Sequence, residues 1–203
     1  NVSGIDNYTL LHIATEFGHL DMVKYLIESG ASITSLDSMQ RKPIHIAVQK
    51  GHLHILQYFI EYVGMSLTER RYSNRTFLHD ASQADQLKIA KYLIAKGIDC
   101  NEPDDNETRP IHLAWMFGSE EMLKILLENG AFYNCVNYYN YSPLCFVRNE
   151  TMKPHLLLLK DLFHSVKIND ISSENHLIER GDCVNEKEFV HASALTYTAR
   201  KGY

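Results

Sequence analysis

Eleven histidines and four cysteines among 203 residues are the groups in this chain that could carry metal or nucleophile chemistry. Four of the histidines, His12, His45, His79 and His112, recur at intervals of 33, 34 and 33 residues. A metal site needs three or four ligands converging on one ion. Side chains spaced one structural repeat apart along a stack cannot converge in that way. The cysteines Cys100, Cys135, Cys145 and Cys183 form no Cys-x-x-Cys pair, and the closest two lie ten residues apart. Neither a zinc ribbon nor a secreted disulfide framework is expected; reduced thiols in a cytoplasmic protein fit that spacing better. Gly-x-Ser-x-Gly, His-Glu-x-x-His and phosphate-cradling glycine loops are all missing. The acidic run Glu102, Asp104, Asp105, Glu107 lacks the twelve-residue spacing and turn glycine of a calcium loop. Only the stretch from Met152 to Asn185, with His176, Glu179 and Cys183, escapes the periodic pattern, and no spacing there matches a known mechanism. The expectation is therefore a protein that is not an enzyme and holds no cofactor and no metal.

The elements that position these histidines are set by the repeat itself. Thr9-Leu10-Leu11-His12 returns as Lys42-Pro43-Ile44-His45, Thr76-Phe77-Leu78-His79 and Arg109-Pro110-Ile111-His112, with a degenerate fifth copy at Ser142-Pro143-Leu144-Cys145. Two positions beyond each anchor stand Ala14, Ala47, Ala81, Ala114 and Val147. Ten residues beyond each histidine begins an i, i+1, i+4, i+5 apolar set, such as Met22, Val23, Leu26, Ile27 and Ile89, Ala90, Leu93, Ile94. That spacing lines one face of a helix. The sets stop at Gly30, Gly64, Gly97 and Gly130, and glycine is the usual residue for the left-handed end of a helix. Gly64 comes one residue late, which matches the single interval of 34. Each repeat thus reads as a short helix opening at Pro or Thr, a turn near Gly18 or Gly51, a longer helix, and a loop. Proline costs nothing at the first turn, where its missing N–H has no intrahelical partner.

Composition is compatible with such a repeat protein. The chain is 45% hydrophobic and 22% charged, ordinary for a globular protein, and long enough to bury a real core. A net charge of −5 gives no basic face for nucleic acid. No apolar run approaches the roughly 20 residues that a membrane span requires, and Asn1-Val2-Ser3-Gly4 does not begin a signal peptide.

These motifs resemble the ankyrin repeat, with its Thr-Pro-Leu-His-x-Ala pattern and its period near 33. The resemblance implies an all-α solenoid of stacked helix–turn–helix repeats with hairpin-like loops. Residues 1–150 read as four good repeats and the start of a degenerate fifth. Residues 151–203 read as irregular repeats continuing the same solenoid, and both ends look cut from a longer chain. The resemblance also implies that the anchor histidines are structural hydrogen bonders tying one loop to the next. Function is implied to lie on the concave face, where loop tips and short helices grip another protein without catalysis. Carried over position by position, the partner-facing set includes Tyr8, Phe17, Met39, Arg41, Tyr72, Arg75, Asp105, Phe117, Tyr138, Tyr139, Tyr141 and Phe146. On the short helices Ile13, Ile46, Asp80 and Leu113 join that set.

Large aromatic side chains bury much area at low entropy cost, so they dominate the energetic centres of interfaces. Phe17, Phe117 and Phe146 could equally pack between neighbouring short helices, whereas one loop cannot hide Tyr138, Tyr139 and Tyr141 together. Charge is segregated by loop: Arg41, Lys42, Arg70, Arg71 and Arg75 on the second and third, Glu102, Asp104, Asp105 and Glu107 on the fourth. A partner of reverse pattern would be steered by it, unless the two loops simply attract each other. At the tight turn of each loop, where the family has glycine, stand Asn7, Asn74 and Asn140; Gln40 and Glu107 break that rule, and differently shaped loops are expected there. Asn101, Asn134 and Asn185 occupy a position that is open to hydroxylation in ankyrin-like chains. The chain is expected to act as a cytoplasmic monomer or as part of a longer chain, without direct contact with membrane or nucleic acid. The alternative is the cytosolic regulatory region of a larger channel, enzyme or bacterial effector.

Overall fold

The computed structural model describes residues 7–117, 119–132, 135–139 and 141. The chain divides into two compact parts, Asn1–Ala131 and Phe132–Tyr203. Cys145, Phe146, His176, Glu179, Cys183, Asn134, Asn140 and Asn185 lie outside the described residues, as do the degenerate fifth copy and the irregular stretch beyond it.

Among the described residues the first part is four helix pairs and no strand. They are α1 (Leu10–Glu16) with α2 (Leu20–Glu28), α3 (Pro43–Lys50) with α4 (Leu53–Gln57), α5 (Phe77–Gln83) with α6 (Leu87–Ala95), and α7 (Pro110–Phe117) with α8 (Glu120–Glu128). Inner helices stack on inner helices, α1 on α3, α3 on α5 and α5 on α7, while α2 meets α4 and α6 meets α8. This is the all-α ankyrin solenoid that the repeat implies.

Burial comes from stacking rather than from any one helix. Ile55, Ile89 and Met122, ten residues beyond their anchors, are fully buried between pairs. Met22 has the same position in the first pair, which no described pair precedes, and it is 50% exposed. The anchor alanines Ala47, Ala81 and Ala114 are likewise fully buried, where a longer side chain would force the layers apart.

Local chemistry opens and closes each helix. Thr9 and Thr76 cap α1 and α5 with their hydroxyls, and Pro43 and Pro110 are the first residues of α3 and α7. Gly30, Gly64, Gly97 and Gly130 all adopt left-handed φ, between 79° and 89°. The extra residue of the second repeat is absorbed inside the helix: α4 runs into a π-helical turn, Tyr58–Tyr62, and the Val63 amide reaches back to the Tyr58 carbonyl at 3.1 Å. A one-residue insertion in a helix commonly relaxes this way, because the widened turn leaves the residues before it in register.

Candidate interaction surface

Each of the four anchor histidines braces the opening of its own helix, and His12 and His79 also reach the next loop, whereas the buried Nε2 of His45 meets no hydrogen-bond partner. In His12 the Nδ1 atom accepts from the Thr9 amide at 3.1 Å, and Nε2 lies 3.1 Å from the Arg41 carbonyl in the next loop. His79 repeats the arrangement with the Thr76 amide at 3.1 Å and the Thr108 carbonyl at 2.8 Å. With Nδ1 accepting, the proton sits on Nε2 and is donated across the repeat. His45 and His112 accept from the Lys42 and Arg109 amides at 3.1 and 3.0 Å. Burial holds the imidazoles of His45 and His79 down at about 4, so both are neutral. Among the described residues no group of three or more His, Cys, Asp or Glu side chains could hold a metal ion.

A second set of ties runs along the opposite end of each pair. His52 Nε2 donates to the Glu16 carbonyl at 2.9 Å, and its ring fills the space where a Cβ on Gly18 would sit, 2.6 Å away. Gln86 reaches the Gln49 carbonyl from the equivalent place. One repeat later Asp85 stands in the glycine's position with φ 53°, and its Oδ1 accepts from both the amide and the hydroxyl of Ser119 at 2.9 Å. At this turn, then, the close approach of His52 and Gln86 excludes any side chain at Gly18 and Gly51, whereas Asp85 fits where no side chain packs on the backbone.

Each loop folds back on itself as a finger. In the second, Asp37 Oδ1 accepts from the Met39 and Arg41 amides at 2.9 and 2.8 Å. Asp104 does the same for Asn106 and Thr108, both at 2.9 Å, and Asn137 for Tyr139 and Tyr141, both at 3.0 Å. Such Asx turns hold two amides that the tight turn would otherwise orphan. The two loops expected to differ do not. Gln40 (φ 58°) and Glu107 (φ 56°) take the same left-handed conformation as Asn7 and Asn74. The Asx oxygen fixes the turn strongly enough to impose it on side chains that disfavour it.

The third finger is the one that is shaped differently, and its first residue is the reason. Arg71 stands where the other fingers have Asp37, Asp104 and Asn137, so it offers no oxygen to the turn amides. The backbone instead makes a 3₁₀ turn, Tyr72–Asn74, with Ser73 also at positive φ, 61°. The carboxylate has moved onto α5 as Asp80, 1% exposed, which pairs with Arg71 at 3.0 Å. Asp80 is thus buried, as are Ile46 and Leu113 at the equivalent position; of these four equivalent positions only Ile13 is exposed, at 40%. The neighbouring inner helix covers the others.

The remaining candidates fall into two groups. Tyr8, Arg41 and Arg75 are only partly exposed and are engaged within their own repeats, each with the residue eight positions on. Tyr8 donates to Glu16 at 2.8 Å, Arg41 to Gln49 at 2.9 Å and Arg75 to Gln83 at 2.8 Å. Burial and the adjoining Glu16 carboxylate push the Tyr8 hydroxyl well above its usual range. Phe17, Met39, Tyr72, Phe117 and Asp105 are exposed instead, Tyr72 at 75%. So are Tyr138, Tyr139 and Tyr141 within the second part, where the rings of Tyr138 and Tyr139 meet edge to face with centroids 5.7 Å apart. Neither Phe17 nor Phe117 is hidden between short helices. The basic side chains of the second and third fingers mostly pair within the chain, Arg41 with Asp37, Lys42 with Glu69 and Arg71 with Asp80, and only the Arg70–Glu102 pair joins the two segregated sets.

Residues 11–104 and 66–137 match the model of the family described as Ankyrin repeats (3 copies). The chain belongs to the ankyrin-repeat family. Ankyrin repeats are generally protein-interaction modules, and the family is generally non-catalytic. Two fowlpox virus (strain NVSL) chains named for ankyrin repeats are similar to it. FPV222 is 29% identical over 123 residues, 61% of this chain and 16% of the viral one. FPV223 is 25% identical over 123 residues, 59% of this chain and 82% of its own. The human transient receptor potential cation channel subfamily A member 1 is 37% identical over 126 residues, covering 61% of this chain and 11% of the channel. The chain therefore spans a small fraction of the length of two of these three relatives. No helix among the described residues is long and apolar enough to cross a membrane.

Proposed function

We propose that this ankyrin-repeat chain is a scaffold that holds another protein against its fingers, in the cytoplasm, and performs no catalysis of its own. One observation carries the reading. Met39 and Tyr72 at two successive finger tips, Phe17 and Phe117 at the ends of inner helices, and the Tyr138–Tyr139–Tyr141 finger expose large apolar side chains. Charged neighbours on the second and third fingers are meanwhile tied up within the chain. Exposed aromatic anchors beside internally satisfied polar groups are what a protein interface uses for affinity.

Affinity capture with three versions of the chain tests this. Met39→Ala with Tyr72→Ala, and Tyr138→Ala with Tyr139→Ala, should each weaken capture of whatever the wild type binds. Tyr25→Ala with Tyr62→Ala removes exposed aromatics from the outer helices and should leave capture intact. All three should unfold thermally close to the wild type, since exposed substitutions cost little. Equal capture by all three would overturn the proposal.

The channel relative supports a second reading, in which the segment is a regulatory ankyrin region of a larger protein. Sequencing the full transcript decides it, because an adjoining membrane or catalytic domain would be visible at once.

A further inference from the structure

The arginines and lysine of the second and third fingers invite the expectation of an acidic partner. The side-chain geometry reverses it. Arg41 lies 2.8 Å from Asp37, Lys42 2.7 Å from Glu69, Arg71 3.0 Å from Asp80 and Arg70 3.5 Å from Glu102. Arg75 donates to Gln83 at 2.8 Å, and Arg109 Nε to the Asn101 carbonyl at 3.1 Å. Four of the five cations of the second and third fingers are thus neutralised by a carboxylate of the chain itself, and Arg75 alone meets a neutral acceptor.

The fourth finger is the opposite case. Glu102 answers Arg70, and Asp104 is spent on its own turn amides. Asp105 and Glu107 are exposed, and among the described residues no basic side chain pairs with either. Asp105 is also fixed in place against the third finger: its amide donates to the Ser73 carbonyl at 3.0 Å. Ser73 follows Tyr72, whose ring is 75% exposed. The finger tips therefore offer a run of apolar groups, Met39 and Tyr72, that ends beside two uncompensated carboxylates.

We propose that this surface takes a protein segment carrying large apolar residues together with a lysine or arginine. The apolar residues lie over Met39 and Tyr72, and the cation sits between the Tyr72 ring and Asp105 and Glu107. A cation over an aromatic face and beside a carboxylate gains from both without losing the solvation that full burial would remove. The proposal rests on the finger-tip reading above and adds the chemistry of the partner.

Panning a displayed library of random 12-residue peptides on the whole 203-residue chain tests it. Enriched peptides should combine Lys or Arg with Leu, Phe, Trp or Met. Synthetic copies should bind about tenfold more weakly to Asp105→Asn with Glu107→Gln, and to Tyr72→Ala, while Tyr72→Phe keeps binding because the ring face is retained. Raising NaCl from about 50 to about 500 mM should weaken binding several-fold, as for any exposed charge pair. Enriched peptides that are acidic or uncharged, yet lost on Met39→Ala with Tyr72→Ala, would overturn this inference and leave the finger-tip reading standing. Peptides indifferent to every finger substitution, or no enrichment at all, would overturn both.

Discussion

His45 and His79 are neutral because burial holds each imidazole near 4 while the unfolded chain titrates near 6.5. Above pH 6.5 both states are neutral and the fold keeps its full stability. Below it the unfolded chain takes up protons that the fold refuses, so stability falls from pH 6.5 toward pH 4. Each such histidine contributes a slope of about 1.4 kcal/mol per pH unit at most. Thermal melts should therefore be flat above pH 7 and fall below 6.5, and His79→Gln should flatten the slope between pH 6.5 and 5 while lowering the plateau. A melt as steep for the variant as for the wild type would show that the protons go elsewhere. The turn residues give a second prediction at this scale. Glu107 sits at φ 56°, a conformation that costs a non-glycine residue about 1–2 kcal/mol. Glu107→Gly should be neutral or slightly stabilising in denaturant unfolding, and Glu107→Val should cost at least about 1 kcal/mol.

Among the elements, the third finger shows what the sequence told and what it concealed. The anchor histidines, the stop glycines and the Pro or Thr openings each recur in register, so helix starts and ends followed directly from them. The one-residue slip at Gly64 was visible as a number, but its resolution as a π-helical turn at Tyr58–Tyr62 was not, since either the helix or the loop could have absorbed it. Gln40 and Glu107 looked like exceptions because residue type alone hides the Asx oxygen of Asp37 and Asp104 that enforces their turns. The exchange of Arg71 for the finger's acid, with Asp80 appearing on α5, was written in the sequence nine positions apart and becomes meaningful only when the two meet. Removing one member of a buried pair leaves the other charge stranded, at about 3–5 kcal/mol, whereas apolar or relocated replacements of both are often neutral. Asp80→Leu alone should therefore destabilise strongly by denaturant unfolding. Arg71→Asp with Asp80→Leu, which copies the Asp104 and Leu113 of the fourth repeat, should recover most of the loss. If the double variant is no more stable than Asp80→Leu, the exchange is not the reason for the finger's shape.

For the whole molecule, stability is a sum over stacked neighbours, and position in the stack decides what a side chain is worth. Ile89→Ala should cost about 2–5 kcal/mol by opening a cavity beneath α6, since Ile89 is fully buried. Met22→Ala, at the same repeat position but half exposed, should cost under about 1 kcal/mol. Solenoid architecture was readable because the repeat supplies four copies of the same instruction. The interaction surface was readable only in outline: exposure separates Phe17, Met39, Tyr72 and Phe117 from Tyr8, Arg41 and Arg75, which sequence places on the same face but which hydrogen bonds keep occupied. Ile46, Asp80 and Leu113 were misplaced because helical position alone does not tell how closely the preceding inner helix approaches. The most direct test of the central claim is site-specific photo-cross-linking, with p-benzoylphenylalanine placed at Tyr72 or at Tyr25 of the intact chain in cells. A protein adduct formed from position 72 and not from position 25 is the predicted result. An adduct from position 25 alone, or from neither, would contradict the claim that the fingers hold the partner.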